Sequence, residues 1–77
     1  MRKSRNALTI RELQILHLVA SGCEYGVIAE QLHISDRTVG HHVGRIMLKL
    51  NAYNRTHAVV NALRGKVIEL EHIPEIT

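Results

Sequence analysis

Several residue types are scarce in this chain of 77 residues, and each scarcity excludes a class of protein. A single cysteine excludes an intrachain disulfide framework. Tryptophan and phenylalanine are absent and there are only two tyrosines, so any core is aliphatic. No apolar run approaches the length of a membrane span, and the basic N-terminus lacks the apolar segment of a signal peptide. These features exclude large enzymes, membrane proteins and disulfide-rich secreted domains, and we expect a cytoplasmic protein in which Cys23 is a reduced thiol.

Positive charge is concentrated in the first 65 residues, which carry nine Lys and Arg against four Asp and Glu. The last twelve residues, 66–77, carry one lysine against three glutamates. This excess of positive charge in residues 1–65 indicates a polyanionic partner, although an ordinary solvated surface can carry the same net charge. Six histidines would add positive charge at mildly acidic pH.

Capping residues and apolar periodicity predict an all-α fold of four helices. Thr9 and Glu12 have the spacing of a capping box, and Ser35 and Asn54 are suited to cap two later helices. The predicted helices cover about 10–21, 24–32, 36–50 and 55–64. We therefore divide the chain into a basic arm (1–7), a helical domain (8–65) and a short acidic extension (66–77).

The third helix has three distinct faces when each residue is rotated by about 100° from the last. Its core stripe is predicted to contain Val39, Val43, Ile46 and Leu50. The opposite side contains Arg37, Gly40, His41 and Gly44, and the flank between them contains Thr38, His42, Arg45 and Lys49. A short helix, a tight turn near His33 and a second helix with a basic flank are typical of a helix-turn-helix that reads the DNA major groove.

A longer pattern of residues carries a specific resemblance. It consists of Leu8-Thr9-x-Arg11-Glu12, then Ile28-Ala29-x-x-Leu32-x-Ile34-Ser35-x-x-Thr38-Val39-x-x-His42-Val43-x-x-Ile46-x-x-Lys49-Leu50, then Asn54-Arg55-Thr56-x-Ala58. This pattern resembles the LuxR-type (GerE-like) helix-turn-helix DNA-binding domain of bacterial transcription regulators. The resemblance covers about residues 8–65. It implies that the third helix reads double-stranded DNA in the major groove and that the fourth helix forms a homodimer contact.

Two glycines depart from the pattern of that family. Gly40 and Gly44 stand where the family commonly has polar or basic side chains, and they cost helix stability. One interpretation is that they allow the helix backbone to approach DNA closely, leaving readout to Arg37, His41 and Arg45. The other is relaxed specificity or weak binding, and the sequence leaves both open.

The candidate DNA-binding residues share the third helix or its surroundings. They are Thr38, Lys49, Arg45, Arg37, His41, His42, Gly40, Gly44 and Tyr25. We expect Lys49 and Arg45 to contact phosphates and Thr38 to donate its hydroxyl to a phosphate near the helix start. Arg37 either reaches a guanine edge with two hydrogen bonds or contacts only a phosphate, and we expect His41, which faces the groove, to touch a base. His42 either braces the helix or meets the DNA backbone. Tyr25 either donates to a phosphate or covers the core.

The fourth helix supplies the candidate dimerisation residues, which are Val59, Val60, Ala62 and Leu63. The basic arm with Arg2, Lys3 and Arg5 could trail along phosphates or end a linker. We expect no metal site, because Cys23 has no CxxC partner and His41 and His42 point apart on a helix. We expect no cofactor or catalytic site either, because no Ser/His/Asp set, glycine-rich phosphate loop or pair of carboxylates stands out.

Two alternative functions remain at this point. Region 4 of a sigma factor also has an Arg-Glu opening helix and a Thr-Val pair, and it makes RNA polymerase a candidate partner. The Asn54-Arg55-Thr56 opening of a full fourth helix favours the LuxR-type interpretation. The second alternative is a protein-interaction module that has lost DNA binding. The sequence is compatible with a stand-alone regulator and with a fragment of a longer one.

Overall fold

A computed structural model describes residues 7–73 of the chain, and the basic residues Arg2, Lys3 and Arg5 lie outside this range. Within it the order of elements is α1 (Ile10–Ala20), α2 (Tyr25–Leu32), α3 (Asp36–Lys49), α4 (Arg55–Arg64) and a 3-10 turn (Leu70–His72). The part of the chain that the structure describes contains no strand. The predicted all-α fold with four helices is therefore confirmed.

The helices begin at the capping residues that the sequence indicated. Thr9 and Glu12 form a complete capping box at the start of α1. The side chain of Ser35 accepts from the backbone N–H of Thr38 at the start of α3, and the side chain of Asn54 accepts from that of His57 in α4. The start of α2 at Glu24 has no side-chain cap, so this short helix depends on packing for its stability.

The turn between α2 and α3 depends on one unusual backbone conformation. His33 ends α2 with φ 59° and ψ 44°, in the left-handed region. Histidine enters this region more readily than most non-glycine residues. The following Ile34 donates its backbone N–H to the carbonyl of Ala29 at 3.0 Å, which closes the turn. As a result α3 starts within a few residues of the end of α2 and packs against it.

The core is aliphatic and lies between α1, α2, α3 and α4. The three predicted core positions Val39, Val43 and Ile46 on α3 are buried, and Leu50 is partly buried against them. The remaining buried apolar residues are Ile15, Leu16, Cys23, Ile28, Ala29, Ala58, Ala62 and Ile68. This core fixes α3 on one side and leaves its opposite side facing outward.

The described part of the C-terminal extension, residues 66–73, packs against the domain, and residues 74–77 lie outside the described range. The Val67 backbone N–H donates to the carbonyl of Ala62 at 2.8 Å, and Ile68 is buried in the core. Ile73 is partly buried against the same cluster. The packed domain thus continues beyond the boundary predicted at residue 65. Glu69 and Glu71 remain exposed.

None of the helices between residues 7 and 73 is long and apolar enough to cross a membrane.

Candidate nucleic-acid interface

The outward side of α3 is a stripe of four residues, Arg37, His41, Gly44 and Leu48, which we call the outer stripe. Successive members are three or four positions apart, so they lie within about 60° of one another around the helix. Arg37, His41 and Leu48 are exposed, and a Cβ added at Gly44 would meet nothing within 4 Å. Three of the four residues predicted on the outward side, Arg37, His41 and Gly44, therefore lie on an open surface, whereas Gly40 is covered by the ring of Tyr25.

The start of α3 has a hydroxyl available for donation. The Ser35 hydroxyl donates to Thr38 Oγ1 at 2.9 Å, and the Thr38 backbone N–H donates to Ser35 Oγ at 3.0 Å. Because Thr38 Oγ1 is the acceptor in the first of these bonds, its own hydroxyl hydrogen can be donated to another group. This arrangement, at the positive end of a helix dipole, suits an anion.

The cations on the flank of α3 are tied to a buried carboxylate on α1. Glu12 is only 2% exposed, and its Oε1 lies 2.8 Å from Lys49 Nζ. Its Oε2 lies 3.5 Å from Arg45 Nε. Lys49 also donates to the carbonyl of Ala7 at 3.3 Å, and its side chain is 19% exposed, whereas that of Arg45 is 56% exposed.

This geometry differs from the expectation that Lys49 contacts a phosphate. A buried carboxylate requires a cationic partner, since an unpaired charge in the interior is costly. Lys49 supplies that partner and joins α3 to α1. Arg45 contacts the same carboxylate through its Nε, and much of its side chain remains in solvent. Its guanidinium therefore remains suited to a phosphate.

The pKa of Glu12 reflects this pairing. Burial alone raises the pKa of the carboxyl, because it penalises the charged form. Hydrogen bonds from Lys49 and the Thr9 backbone, the charge of Lys49 and the contact with Arg45 outweigh burial, so the pKa lies below its ordinary value of 4.5. Glu12 is therefore ionised at neutral pH.

The structure separates the two glycines of α3. A Cβ at Gly40 would lie 3.6 Å from Cε2 of Tyr25, whereas Gly44 faces open space. Tyr25 lies beside Gly40, and its ring has the guanidinium carbon of Arg55 5.1 Å from its centroid. Close approach of the backbone to a ligand is thus available at Gly44, while Gly40 accommodates an aromatic ring of α2. The half-buried ring of Tyr25 joins α2, α3 and the start of α4.

His42 lies on the inner part of the flank and is half-buried. Its Nδ1 is enclosed without a hydrogen-bond partner among the described residues. Its ring meets that of His41 edge-on, with centroids 6.4 Å apart. Of the two roles predicted for His42, bracing the helix therefore fits its position better.

The predicted dimerisation residues divide between the surface and the core. Val60 is exposed, and Val59 and Leu63 are half-buried. Ala62 is 0% exposed, so it has no surface to offer to a second chain, and its inclusion in the dimer contact was wrong. Ala62 lies on the side of α4 that packs on the core. Val59 and Val60 line a shallow cavity together with Val19 and Cys23.

Sequence reasoning missed two features of this site. The capping-box spacing predicts Glu12 only as a helix cap, and the pairing of Glu12 with Arg45 and Lys49 depends on tertiary packing that no local pattern reveals. Leu48 was not assigned to any face, although the rotation of about 100° per residue places it beside Arg37 and His41. That periodicity was the signal that could have found it.

In the range 7–73 there is no group of three or more His, Cys, Asp or Glu side chains placed to hold a metal ion.

Comparison with known proteins matches residues 6–62 to the GerE domain of the family described as bacterial regulatory proteins, luxR family. The transcriptional regulatory protein DegU of Brevibacillus brevis is 41% identical over 64 residues, covering 83% of this chain and 27% of that protein. The uncharacterized transcriptional regulatory protein YxjL of Bacillus subtilis is 46% identical over 61 residues, covering 79% of this chain and 28% of that protein. The response regulator protein VraR of Staphylococcus aureus is 42% identical over 62 residues, covering 80% and 30% respectively. The chain thus spans less than a third of the length of these relatives.

Proposed function

Because this chain belongs to the luxR family of bacterial regulatory proteins, we propose that it binds double-stranded DNA sequence-specifically and regulates transcription in the cytoplasm, with α3 in the major groove. The resemblance stated from the sequence motifs is confirmed by the match over residues 6–62. This match favours a regulator over region 4 of a sigma factor. A transcription regulator can also contact RNA polymerase, which is therefore a second candidate partner.

The observation that carries the proposal is the outer stripe of α3. A helix fits the major groove when one side is free of the rest of the protein and its residues can reach base edges. Arg37 and His41 are exposed on such a side. Arg37 has the fork geometry that pairs with guanine in two hydrogen bonds, and His41 lies one turn further along.

Phosphate contacts complete the proposed docking. The Thr38 hydroxyl lies at the start of α3, and the Arg45 guanidinium lies along its flank, on the side turned toward α1. Such contacts fix the orientation of a helix in the groove without reading sequence. In this account Lys49 acts indirectly, because its ammonium group pairs with Glu12 and so holds the helix in place.

We further propose that α4 forms the contact of a homodimer, through Val59, Val60 and Leu63. The exposed side of Val60 and the half-buried sides of Val59 and Leu63 give α4 an apolar surface outside the core. Two-fold related helices would then meet two half-sites about one helical turn of DNA apart.

The proposal is tested by replacing Arg37 with alanine and measuring binding to selected duplexes by fluorescence anisotropy. We expect the Kd to rise about tenfold to a hundredfold, as for the loss of a paired contact to a base. Arg64→Ala is the matched control, because Arg64 is an exposed arginine at the far end of α4. Equal effects of the two substitutions would contradict a role for α3 in readout. Absence of any duplex binding by the unmodified chain would favour the protein-interaction alternative.

A further inference from the structure

We propose that Leu48 is a specificity-determining residue that reads the C5-methyl group of a thymine in the major groove. The inference rests on the proposed function and adds one element of the target sequence to it. Leu48 is 82% exposed and lies on the outer stripe, in line with Arg37 and His41.

The position of Leu48 along α3 places it within reach of bases. It follows Arg37 by eleven residues, which corresponds to about 16 Å along the helix axis. Base pairs in DNA rise by about 3.4 Å, so a face of this length can cover roughly four or five base pairs. Arg37 would then contact one end of a half-site and Leu48 the other end.

Gly44 gives the bases access to this end of the helix. It lies one turn before Leu48 on the same stripe, and the space beyond its Cα is open. With no side chain there, Leu48 projects beyond its neighbour, and a base pair can approach the backbone between His41 and Leu48.

The chemistry of the groove identifies the occupant. The thymine methyl is the apolar group among the base edges of the major groove, and apolar side chains recognise it by contact. A hydrophobic protein partner would need a contiguous apolar patch. The residues one turn before Leu48 on this side are instead Gly44 and the exposed, cationic Arg45, which suit DNA better than an apolar partner.

The experiment compares thymine with deoxyuridine, which lacks only the methyl group. Duplexes that the full chain selects from a random pool are resynthesised with deoxyuridine at one thymine position of each half-site at a time. We expect one position at which the substitution raises the Kd about threefold to fivefold per half-site, the effect of one methyl-sized apolar contact. Leu48→Ala should raise the Kd for the thymine duplex by a similar factor. This variant should bind the deoxyuridine duplex no more weakly than it binds the thymine duplex.

The control is Leu70→Ala, since Leu70 is another exposed leucine, 72% exposed in the 3-10 turn. It should leave both affinities unchanged, and circular dichroism should show that both variants keep the helical fold.

If Leu48→Ala and the unmodified chain lose the same affinity at every deoxyuridine position, the readout by Leu48 is overturned while DNA binding stands. A change of sedimentation mass in Leu48→Ala would also overturn it, because Leu48 would then contact a second copy. If the unmodified chain binds no duplex, the proposed function fails together with this inference.

Discussion

Glu12 shows how one side chain can serve a helix end and a tertiary contact at once. Its Oε1 accepts from the Thr9 backbone N–H at 3.0 Å, which completes the cap of α1. The same oxygen accepts from Lys49 Nζ at 2.8 Å, which joins α1 to α3. Replacing only one partner of such a cluster leaves the others without compensation. The orientation of α3 therefore depends on a residue that would not touch DNA.

The substitution Glu12→Gln keeps the size of the side chain and removes its charge. We expect the free energy of unfolding at neutral pH to fall by about 2 kcal/mol, because Lys49 loses its charged partner in a partly buried site. Urea denaturation followed by circular dichroism measures this change. Glu30→Gln, at an exposed position of α2, should be nearly neutral. Equal stability of the Glu12 and Glu30 variants would contradict the structural role of the ion pair.

The same pairing predicts a pH dependence of stability. The pKa of Glu12 is lower in the folded chain than its ordinary value of 4.5, so the unfolded chain binds the proton more readily. The stabilisation is complete above that ordinary value and is lost as the pH falls through the lower pKa of the folded state. The stability difference between the unmodified chain and Glu12→Gln should therefore shrink as the pH is lowered below about 4. A stability difference that stays constant over this pH range would rule out the charge of Glu12 as its source.

At the scale of the elements, α3 combines a fixed inner side with an open outer side. The core stripe follows from the apolar period alone, and the structure confirms that Val39, Val43 and Ile46 are buried. The outer stripe follows from the same rotation, which is why the exposed positions of Arg37 and His41 could also be predicted. The neighbours of Gly40 could not, because Tyr25 reaches it from another helix.

Gly44→Ala tests whether the backbone of α3 approaches DNA. Alanine is favoured over glycine in a helix by about 1 kcal/mol, and its Cβ meets no other atom here. We expect thermal denaturation to show a more stable chain, while anisotropy shows weaker duplex binding. Gly40→Ala is the matched control, since its Cβ would make an ordinary contact of 3.6 Å with Tyr25. Duplex affinity that is unchanged in Gly44→Ala would contradict close approach at this position.

The connections between elements were predicted unevenly, for physical reasons. Local hydrogen bonds determine the caps at Thr9, Ser35 and Asn54, so residue type and spacing were sufficient to place these helix starts. The tail beyond Gly65 carries no such local signal. Ile68 is buried because the chain folds back toward the core after the end of α4. The position of that core depends on the arrangement of all four helices.

At the scale of the whole molecule, the outer stripe of α3 and the apolar side of α4 are separate surfaces. Tyr25 connects their surroundings, because its ring lies against Gly40 of α3 and beneath Arg55 of α4. A dimer through α4 would set the spacing of two α3 helices and therefore the spacing of two half-sites. Sequence alone indicated both surfaces but could not separate the surface residue Val60 from the buried Ala62.

The dimer contact is tested with Val60→Glu, which places a charge on the exposed part of α4. Burying an unpaired carboxylate in an apolar contact is costly, so we expect sedimentation analysis to show a shift from dimer toward monomer. Val27→Glu serves as control, because Val27 is a similarly exposed valine on α2. A dimer that is equally stable in both variants would contradict a contact through α4.

The most direct test of the central claim is the affinity of the unmodified chain for duplex DNA, measured by fluorescence anisotropy at several salt concentrations. If α3 lies in the groove with cationic side chains on the phosphates, the log of the association constant should fall linearly with the log of salt concentration. The slope should be about −0.9 for each phosphate neutralised, so two or more such contacts give a clear dependence. Failure to bind any duplex at low salt, or binding that does not change with salt, would contradict the account.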